Sequence, residues 1–286
     1  MLEFKNLQHT SFSEIHSVFI DAFSDYQVPM QPTESELRYM FERRGGDLKL
    51  SYGAFDNNQL VGFILNGVGN WNGVYTSYDT GTGISKCFQK KGIAKDLFSY
   101  AIADLIRNGI KQYLLEVIKT NQNAISLYNK KSFMINRVFD YYIFSKSLLT
   151  NRKESSIKDV IIDKVTSLDW NKAQSFWDIL PSWQNSIDAI QRKLDRFTIL
   201  QVLIKDECVG YGIIERHTGD IAQLAIHHQY RRQGIAMMLL QELLYLSQSE
   251  TVKIINIEKN YQPFRSFCDS LQLPKGDGQY EMMLQL

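Results

Sequence analysis

The sequence has only three cysteines, Cys87, Cys208 and Cys268, in 286 residues. An odd, scattered set cannot close into a disulfide framework and lacks the short spacing of a metal site. Reduced thiols in a cytoplasmic protein are expected, with no metal. No apolar run approaches the length that spans a bilayer, and Met1-Leu2-Glu3-Phe4-Lys5-Asn6 has no apolar signal-peptide core. Neither secretion nor membrane insertion is expected. An excess of one charge is also missing, because 32 Lys and Arg stand against 31 Asp and Glu for a formal net charge of +1. That balance gives the whole chain no electrostatic reason to seek nucleic acid or an anionic membrane, so local loops must supply any anion binding.

A hydrophobic content of 44% and an aromatic content of 12% fit a globular chain long enough for two domains. Periodicity predicts a strand at 2–7, a helix at 12–23 capped by Ser11 or Ser13, and a second helix opened by Thr33-Glu34-Ser35-Glu36 after the Pro29 to Pro32 break. Strands at 50–55 and 60–68 flank the turn residues Asp56-Asn57-Asn58-Gln59, and a Gly- and Asn-rich loop at 67–73 precedes a strand at 74–84. A helix at 92–108, a strand at 113–118, a short helix at 124–131 and a strand at 138–145 follow. The polar, aperiodic stretch around 148–155 reads as a linker, giving domains at 1–147 and 156–286.

After it the order restarts. Strand 160–165, helices 170–180 and 187–197, strands 200–205, 209–215 and 221–226, helix 234–246, strand 252–257, a helix near 264–270 and a strand near 280–284 complete the chain. Val61-Gly62-Phe63 returns as Val209-Gly210-Tyr211 and Gly92 returns as Gly234, at spacings of 148 and 142 residues, far beyond a solenoid period. The six-residue difference fits a longer loop at 67–73 in the first half.

Two basic stretches stand out in this repeat. Gly83-Ile84-Ser85-Lys86-Cys87-Phe88-Gln89-Lys90-Lys91-Gly92-Ile93-Ala94 and Ile226-His227-His228-Gln229-Tyr230-Arg231-Arg232-Gln233-Gly234-Ile235-Ala236 each run from an apolar strand through a polar loop into a helix. The first amides of such a helix lack intrahelical partners and carry the positive end of its dipole, so an anion can fill the vacancy. Gly92 holds no Cβ against a ligand, and Lys90, Lys91 and Lys95 add charge. The bland alternative is an ordinary strand-to-helix turn with a solvated rim. His227 and His228 read as a phosphate partner or an exposed pair, since adjacent strand residues point to opposite faces and could hardly share a metal.

Gln89-Lys90-Lys91-Gly92-Ile93-Ala94 and Arg231-Arg232-Gln233-Gly234-Ile235-Ala236 match the Gln/Arg-x-x-Gly-x-Gly/Ala signature, and the chain resembles the GCN5-related N-acetyltransferases twice over. The resemblance implies an α/β fold of two tandem domains, each a mixed, mostly antiparallel sheet flanked by helices and splayed in the middle. It implies acetyl-CoA as cosubstrate, with its pyrophosphate on Gln89 to Lys95 and its pantetheine arm beside Thr82-Gly83-Ile84. Asn121, Asn123 and Ala124 would contact the same arm, and Tyr128 would protonate the departing thiolate, a role that a neutral phenol can perform. In the second half Ile226 and Arg231 to Ala236 are the matching candidates. Aligning Asn260 with Asn121 puts Phe267 at the place of Tyr128 and Pro263 at that of Ala124, so this copy is expected to be degenerate, binding the cofactor without catalysis, binding something else, or walling the first copy's cleft.

Acetylation needs a base for the amine proton. Asp79 in Tyr78-Asp79-Thr80-Gly81-Thr82 and Glu116 in Leu115-Glu116-Val117 are the acidic candidates, each with the plainer option of holding a turn or a backbone group. Trp71, Tyr75, Tyr78, Phe139, Tyr141 and Tyr142 could line an acceptor pocket or simply fill core. The expected activity is transfer of acetyl to a primary amine of a small molecule or peptide, in a monomer or homodimer; the competing reading is an acyl-CoA sensor or scaffold without turnover.

Overall fold

The computed structural model describes residues 2–25, 30–149 and 159–286. Pro29 and most of the expected linker, from residue 150, lie outside them. In chain order the elements are β1 (Leu2–Asn6), α1 (Phe12–Phe23), α2 (Glu34–Arg43), β2 (Tyr52–Asp56), β3 (Gln59–Trp71), β4 (Val74–Ile84), α3 (Ile93–Arg107), β5 (Gln112–Ile118), α4 (Gln122–Lys130) and β6 (Met134–Ser145). They continue with β7 (Val160–Val165), α5 (Trp170–Gln174), α6 (Ile187–Gln191), β8 (Phe197–Ile204), β9 (Glu207–Glu215), β10 (Asp220–Ile226), α7 (Ile235–Leu246), β11 (Thr251–Glu258), α8 (Gln262–Ser270) and β12 (Gln279–Gln285). Among the described residues, no helix is long and apolar enough to cross a membrane.

Local chemistry explains most boundaries. Ser11 accepts from the Glu14 amide to cap α1, and Thr33 and Glu36 form a reciprocal capping box on α2. Asn57 and Asn58 both take positive φ in the β2–β3 hairpin, a conformation asparagine tolerates. Two helices are shorter than their sequence period. The first stops at Gln174, after which the chain turns to lay Phe176 against Tyr211, and the second stops at Gln191, because Phe197 and Thr198 already belong to β8.

The chain forms two compact units, 1–137 with 280–286, and 138–279. These differ from the halves 1–147 and 156–286, because the final strand belongs to the first unit and most of β6 to the second. In the first unit the strand order is β1-β2-β3-β4-β5-β12-β6, antiparallel from β1 to β4 and parallel between β4 and β5. Met282, fully buried, joins Leu97, Phe98, Tyr113 and Phe133 in the core under α3 and α4. Glu281 is also fully buried and is held by a bidentate pair of bonds from Arg137, at 2.8 and 2.6 Å, and by Asn136 Nδ2 at 2.6 Å. Those bonds fasten β12 in place. α1 and α2 cover a second core around Phe19, Phe41 and Phe63.

In the second unit the order is β6-β11-β10-β9-β8-β7, with β6 antiparallel to β11 and β10 parallel to β11. α7 packs Leu239, Leu240 and Leu243 on the sheet. The extra length of the first copy is not a loop. β3 continues through Gly67 to Trp71 and turns tightly at Asn72-Gly73, so the added residues lengthen both strands of the β3–β4 hairpin.

Candidate active site

The parallel ladder between β4 and β5 runs from Thr76↔Gln112 to Asp79↔Leu115. Among the described residues no pair follows it, so 80–84 and 116–118 diverge into a cleft. On the other side β4 still pairs with β3, and the register slips once: Leu65 faces Gly81 while Asn66 faces Asp79, leaving Thr80 as a bulge. Arg44 takes up the carbonyl freed there, donating to Thr80 O at 3.0 Å. No motif marks Arg44, whose role depends on the end of α2 reaching the bulge.

Asp79 closes the ladder and is buried. Its carboxylate accepts from the Gly81 amide at 2.9 Å and from the Thr82 hydroxyl at 2.7 Å. Burial pushes its pKa up to about 6, with those two bonds and the Arg44 charge opposing the rise. Glu116 lies on the opposite face of β5. Tyr78 pairs with Leu114 and so shares a face with Glu116, and the two side chains are hydrogen-bonded. Burial first, and then Glu116, raise the Tyr78 pKa.

Tyr128, on α4, is buried on the Asp79 side, with ring centroids 5.5 Å from Phe98 and 5.8 Å from Phe133. Tyr113 links the two candidates: burial raises its pKa first, then the nearby Asp79 and Tyr128. Asp79 and Tyr128 therefore lie on the same face of β4 and β5, each near Tyr113, while Glu116 lies on the other face. Asn121 spends its side-chain oxygen on the Ala124 amide at 3.1 Å as the N-cap of α4, and Asn123 is exposed. The aromatic set divides between the units: Trp71 and Tyr78 are buried in the first, where Tyr75 lines a separate 560 Å³ cavity with Phe12 and Arg38, while Phe139, Tyr141 and Tyr142 belong to the second.

The two basic loops have one conformation. Lys90 and Arg232 take φ of 61° and 64°, and Gly92 and Gly234 take 82° and 87° at the N-caps of α3 and α7. Neither helix start has a side-chain cap. Gln89 Nε2 donates to Ile84 O at 3.0 Å, and Arg231 Nε donates to Ile226 O at 2.8 Å, the same brace from two different side chains. Thr82, Gly83 and Ile84 form the β4 edge that leads into the first loop. Gln89, Lys90, Lys91, Gly92 and Lys95 are exposed, Ala94 is partly buried and Ile93 anchors the helix in the core. In the second loop Ile226 and Ile235 are buried, Arg231, Gln233 and Ala236 are half-buried, and Arg232 is exposed. An anionic group fits this uncapped, glycine-opened turn.

The profile of the Acetyltransferase (GNAT) family matches residues 12–133 and 162–263. The chain belongs to that family. Among solved structures it is similar to a tandem GNAT protein from the clavulanic acid biosynthesis pathway, with TM-score 0.76 and 11% identity over 100% of this chain and 98% of that one. It is also similar to a GCN5-related N-acetyltransferase from Sphaerobacter thermophilus, with TM-score 0.68 and 12% identity over 99% and 95%. At such identities these likenesses concern the fold. The N-alpha-acetyltransferase MAK3 of Arabidopsis thaliana is 27% identical over 96 residues, which are 33% of this chain and 50% of that protein. The chain therefore spans about half the length of that relative.

The second GNAT unit repeats the cleft but not its polar groups. Its ladder is the pair Asp220↔Lys253, and its bulge falls on Ala222, between Ile221↔Ile214 and Gln223↔Ile213. Ile221 thus stands where Asp79 does, and Ile255, two residues beyond Lys253, stands where Glu116 does. The alignment of Asn260 with Asn121 and Phe267 with Tyr128 is off by one. β11 carries an extra residue, with a register shift between Ile254 and Ile257 and Asn256 at φ 62°. Beyond that bulge Tyr261 holds the N-cap position of α8 that Asn121 holds in α4, without a side-chain bond, and the bond from Leu273 N to Cys268 O repeats that from Phe133 N to Tyr128 O. Cys268, not Phe267, occupies the Tyr128 position, and Pro263 falls opposite Asn123.

Cys268 is fully buried, burial pushes its thiol up to about 12, and it is hydrogen-bonded with Tyr142. Two residues the sequence did not single out also shape this unit: Asp178 accepts from Arg231 and from the Tyr261 hydroxyl, each at 2.5 Å. Burial opposes ionisation of Asp178, but those two bonds outweigh it and hold its carboxyl below the usual range. His227 and His228 do not point apart. The strand ends at Ile226, and their rings lie 4.3 Å from each other. Among the described residues no group of three His, Cys, Asp or Glu is placed to hold a metal.

Proposed function

We propose that the first unit is an N-acetyltransferase that moves acetyl from acetyl-CoA directly to a primary amine of a small molecule or peptide. The observation carrying this reading is the glycine-opened loop beside a cleft with buried Asp79 and Tyr128 on one face. The loop from Gln89 to Lys95 receives the pyrophosphate on backbone amides, with Lys90, Lys91 and Lys95 screening its charge. The β4 edge at Thr82 to Ile84 offers backbone groups to the pantetheine arm, and Asn121, Asn123 and Ala124 flank it from α4.

The acceptor, an ammonium near neutral pH, must lose one proton before it attacks and a second from the tetrahedral intermediate, and the departing thiolate must gain one. Asp79 receives the first. Its pKa of about 6 leaves it ionised near neutrality yet basic enough to accept, and Thr82, half-buried and already bonded to it at 2.7 Å, is the hydroxyl through which the proton passes. Tyr128 gives its hydroxyl proton to the sulfur as the carbon–sulfur bond breaks and takes the second proton from the nitrogen in its place. Glu116 keeps Tyr78 in place rather than serving as the base.

The test is Tyr128→Phe in the whole chain, assayed by release of free CoA across a panel of amines. Affinity for acetyl-CoA stays within about twofold and turnover falls on the order of 10²-fold or more. An unchanged rate would remove Tyr128 from the chemistry, and tight binding without turnover by the unaltered chain on any amine would favour a sensor instead.

A further inference from the structure

The second unit holds a cavity of about 470 Å³ where β10 and β11 diverge, within the range of small-molecule sites. One end opens beside Asp178, whose side chain is 42% exposed, and beside Arg231, Arg232 and Gly234 of the loop. The other end is closed by the chain itself. A short turn at Trp183–Asn185 lies across the diverging strands, its residues and Ser182 all buried. Gln223 Nε2 of β10 donates to Asn185 O at 2.7 Å, Asn185 Nδ2 donates to Ile255 O of β11 at 3.3 Å, and Asn256 Nδ2 donates to Ser182 Oγ at 3.0 Å. The Tyr211 hydroxyl donates to Gln223 Oε1 at 2.7 Å and receives the Trp177 indole N–H. The turn is thus tied to both strands at their parting point. In the first unit the residue at the place of Gln223 is Gly81, which has no side chain to make such a tie.

Acyl transfer requires a nucleophile within about 3.5 Å of the acyl carbon, in line with its π system. A cleft open at the loop and stitched shut at the parting point admits a long ligand end-on and gives a nucleophile no second entrance. The groups that would move protons are also gone, with Ile221 and Cys268 at the positions of Asp79 and Tyr128, and Cys268 does not line the cavity.

We infer that the second unit is a blind receptor for a coenzyme A thioester with a short acyl group, held but not transferred. The diphosphate sits at the start of α7 and the acyl end lies against Ile221, Ala222 and Ile254 above the closed turn. This inference rests on the coenzyme A reading of the signature loop, not on the acid and base assigned to the first unit.

The whole chain carrying Tyr128→Phe is titrated with radiolabelled acetyl-CoA, with hydrogen exchange followed in parallel. Two equivalents bind, and protection extends over 221–237 as well as 82–97. Hydroxylamine, which attacks a thioester carbonyl and releases the thiol, consumes one bound equivalent at least tenfold more slowly than free acetyl-CoA. Ala222→Phe and, separately, Ala225→Phe fill the cavity and abolish the slow equivalent while the other remains. One equivalent with no protection at 221–237 overturns the receptor. Two equivalents cleaved as fast as free thioester overturn its blindness. Loss of all binding, with the unaltered chain also silent, overturns the coenzyme reading itself.

Discussion

Replacing Asp79 by asparagine separates what this residue costs the fold from what it does at the site. Burial raises its pKa from 3.8 to about 6, so the protonated acid is favoured in the folded state. A carboxyl shifted in that sense contributes stability that is complete below the unfolded pKa and is lost as pH rises through the folded one. A gap of roughly two units, at about 1.4 kcal/mol each, makes ionised Asp79 cost the first unit about 3 kcal/mol near neutrality. Asparagine keeps an oxygen for the Gly81 amide, its own amide can donate to Thr82, and it never ionises. Asp79→Asn is therefore expected to stabilise the first unit by about 2–3 kcal/mol at about pH 7.5 and by about nothing at about pH 4, while transfer falls on the order of 10²-fold. Urea unfolding read by hydrogen exchange of the buried β4 and β5 amides reports this unit alone. If the asparagine variant is no more stable than the parent at the higher pH, the claim that Asp79 is held at an energetic cost fails. Retained activity would remove it from proton transfer.

The cost at Asp79 also predicts a rising limb in kcat/KM with a midpoint near 6, absent from Asp79→Asn, which a pH–rate profile checks. Gly92 takes φ 82°, so Gly92→Val strains the turn by roughly 1–3 kcal/mol and places a side chain where phosphate would lie; calorimetry should show weaker coenzyme binding, and unchanged affinity would dismiss the loop. Glu281→Ala leaves the Arg137 guanidinium buried without its carboxylate and is expected to cost the first unit about 3–5 kcal/mol, with the loss seen as lower urea resistance of β5 and α3 amides. An effect confined to the second unit would contradict the placement of β12.

The stretch from Gly83 to Ala94 was legible without coordinates. Glycine is the residue suited to an uncapped, positive-φ helix start, and the same need recurs at Gly234, so chemistry local to a few residues fixed both loops. The capping box at Thr33, the turn at Asn57-Asn58 and the apolar faces of α1, α3 and α7 were readable for the same reason, since each depends on neighbours within a turn or two of chain. Asp79 and Tyr128 could be named as candidates, but their convergence on one face could not, because it depends on the pairing of β4 with β5 and on the bulge at Thr80.

Partnership between distant segments was decided only in three dimensions. A strand's own residues do not name its partner, so nothing in Gln279–Gln285 says that it completes the first unit, nor anything in 138–145 that it pairs with β11; buried Glu281 and its partner Arg137 fasten β12 through a contact across more than a hundred residues. The extra residue at Asn256 is equally silent in sequence. A bulge changes which positions correspond without changing composition, and it turned the counterpart of Tyr128 from Phe267 into Cys268. Local sequence thus determined the shared conformation of the two glycine-opened loops. Long-range packing determined which copy keeps the groups for chemistry at its cleft and which one stitches the cleft shut.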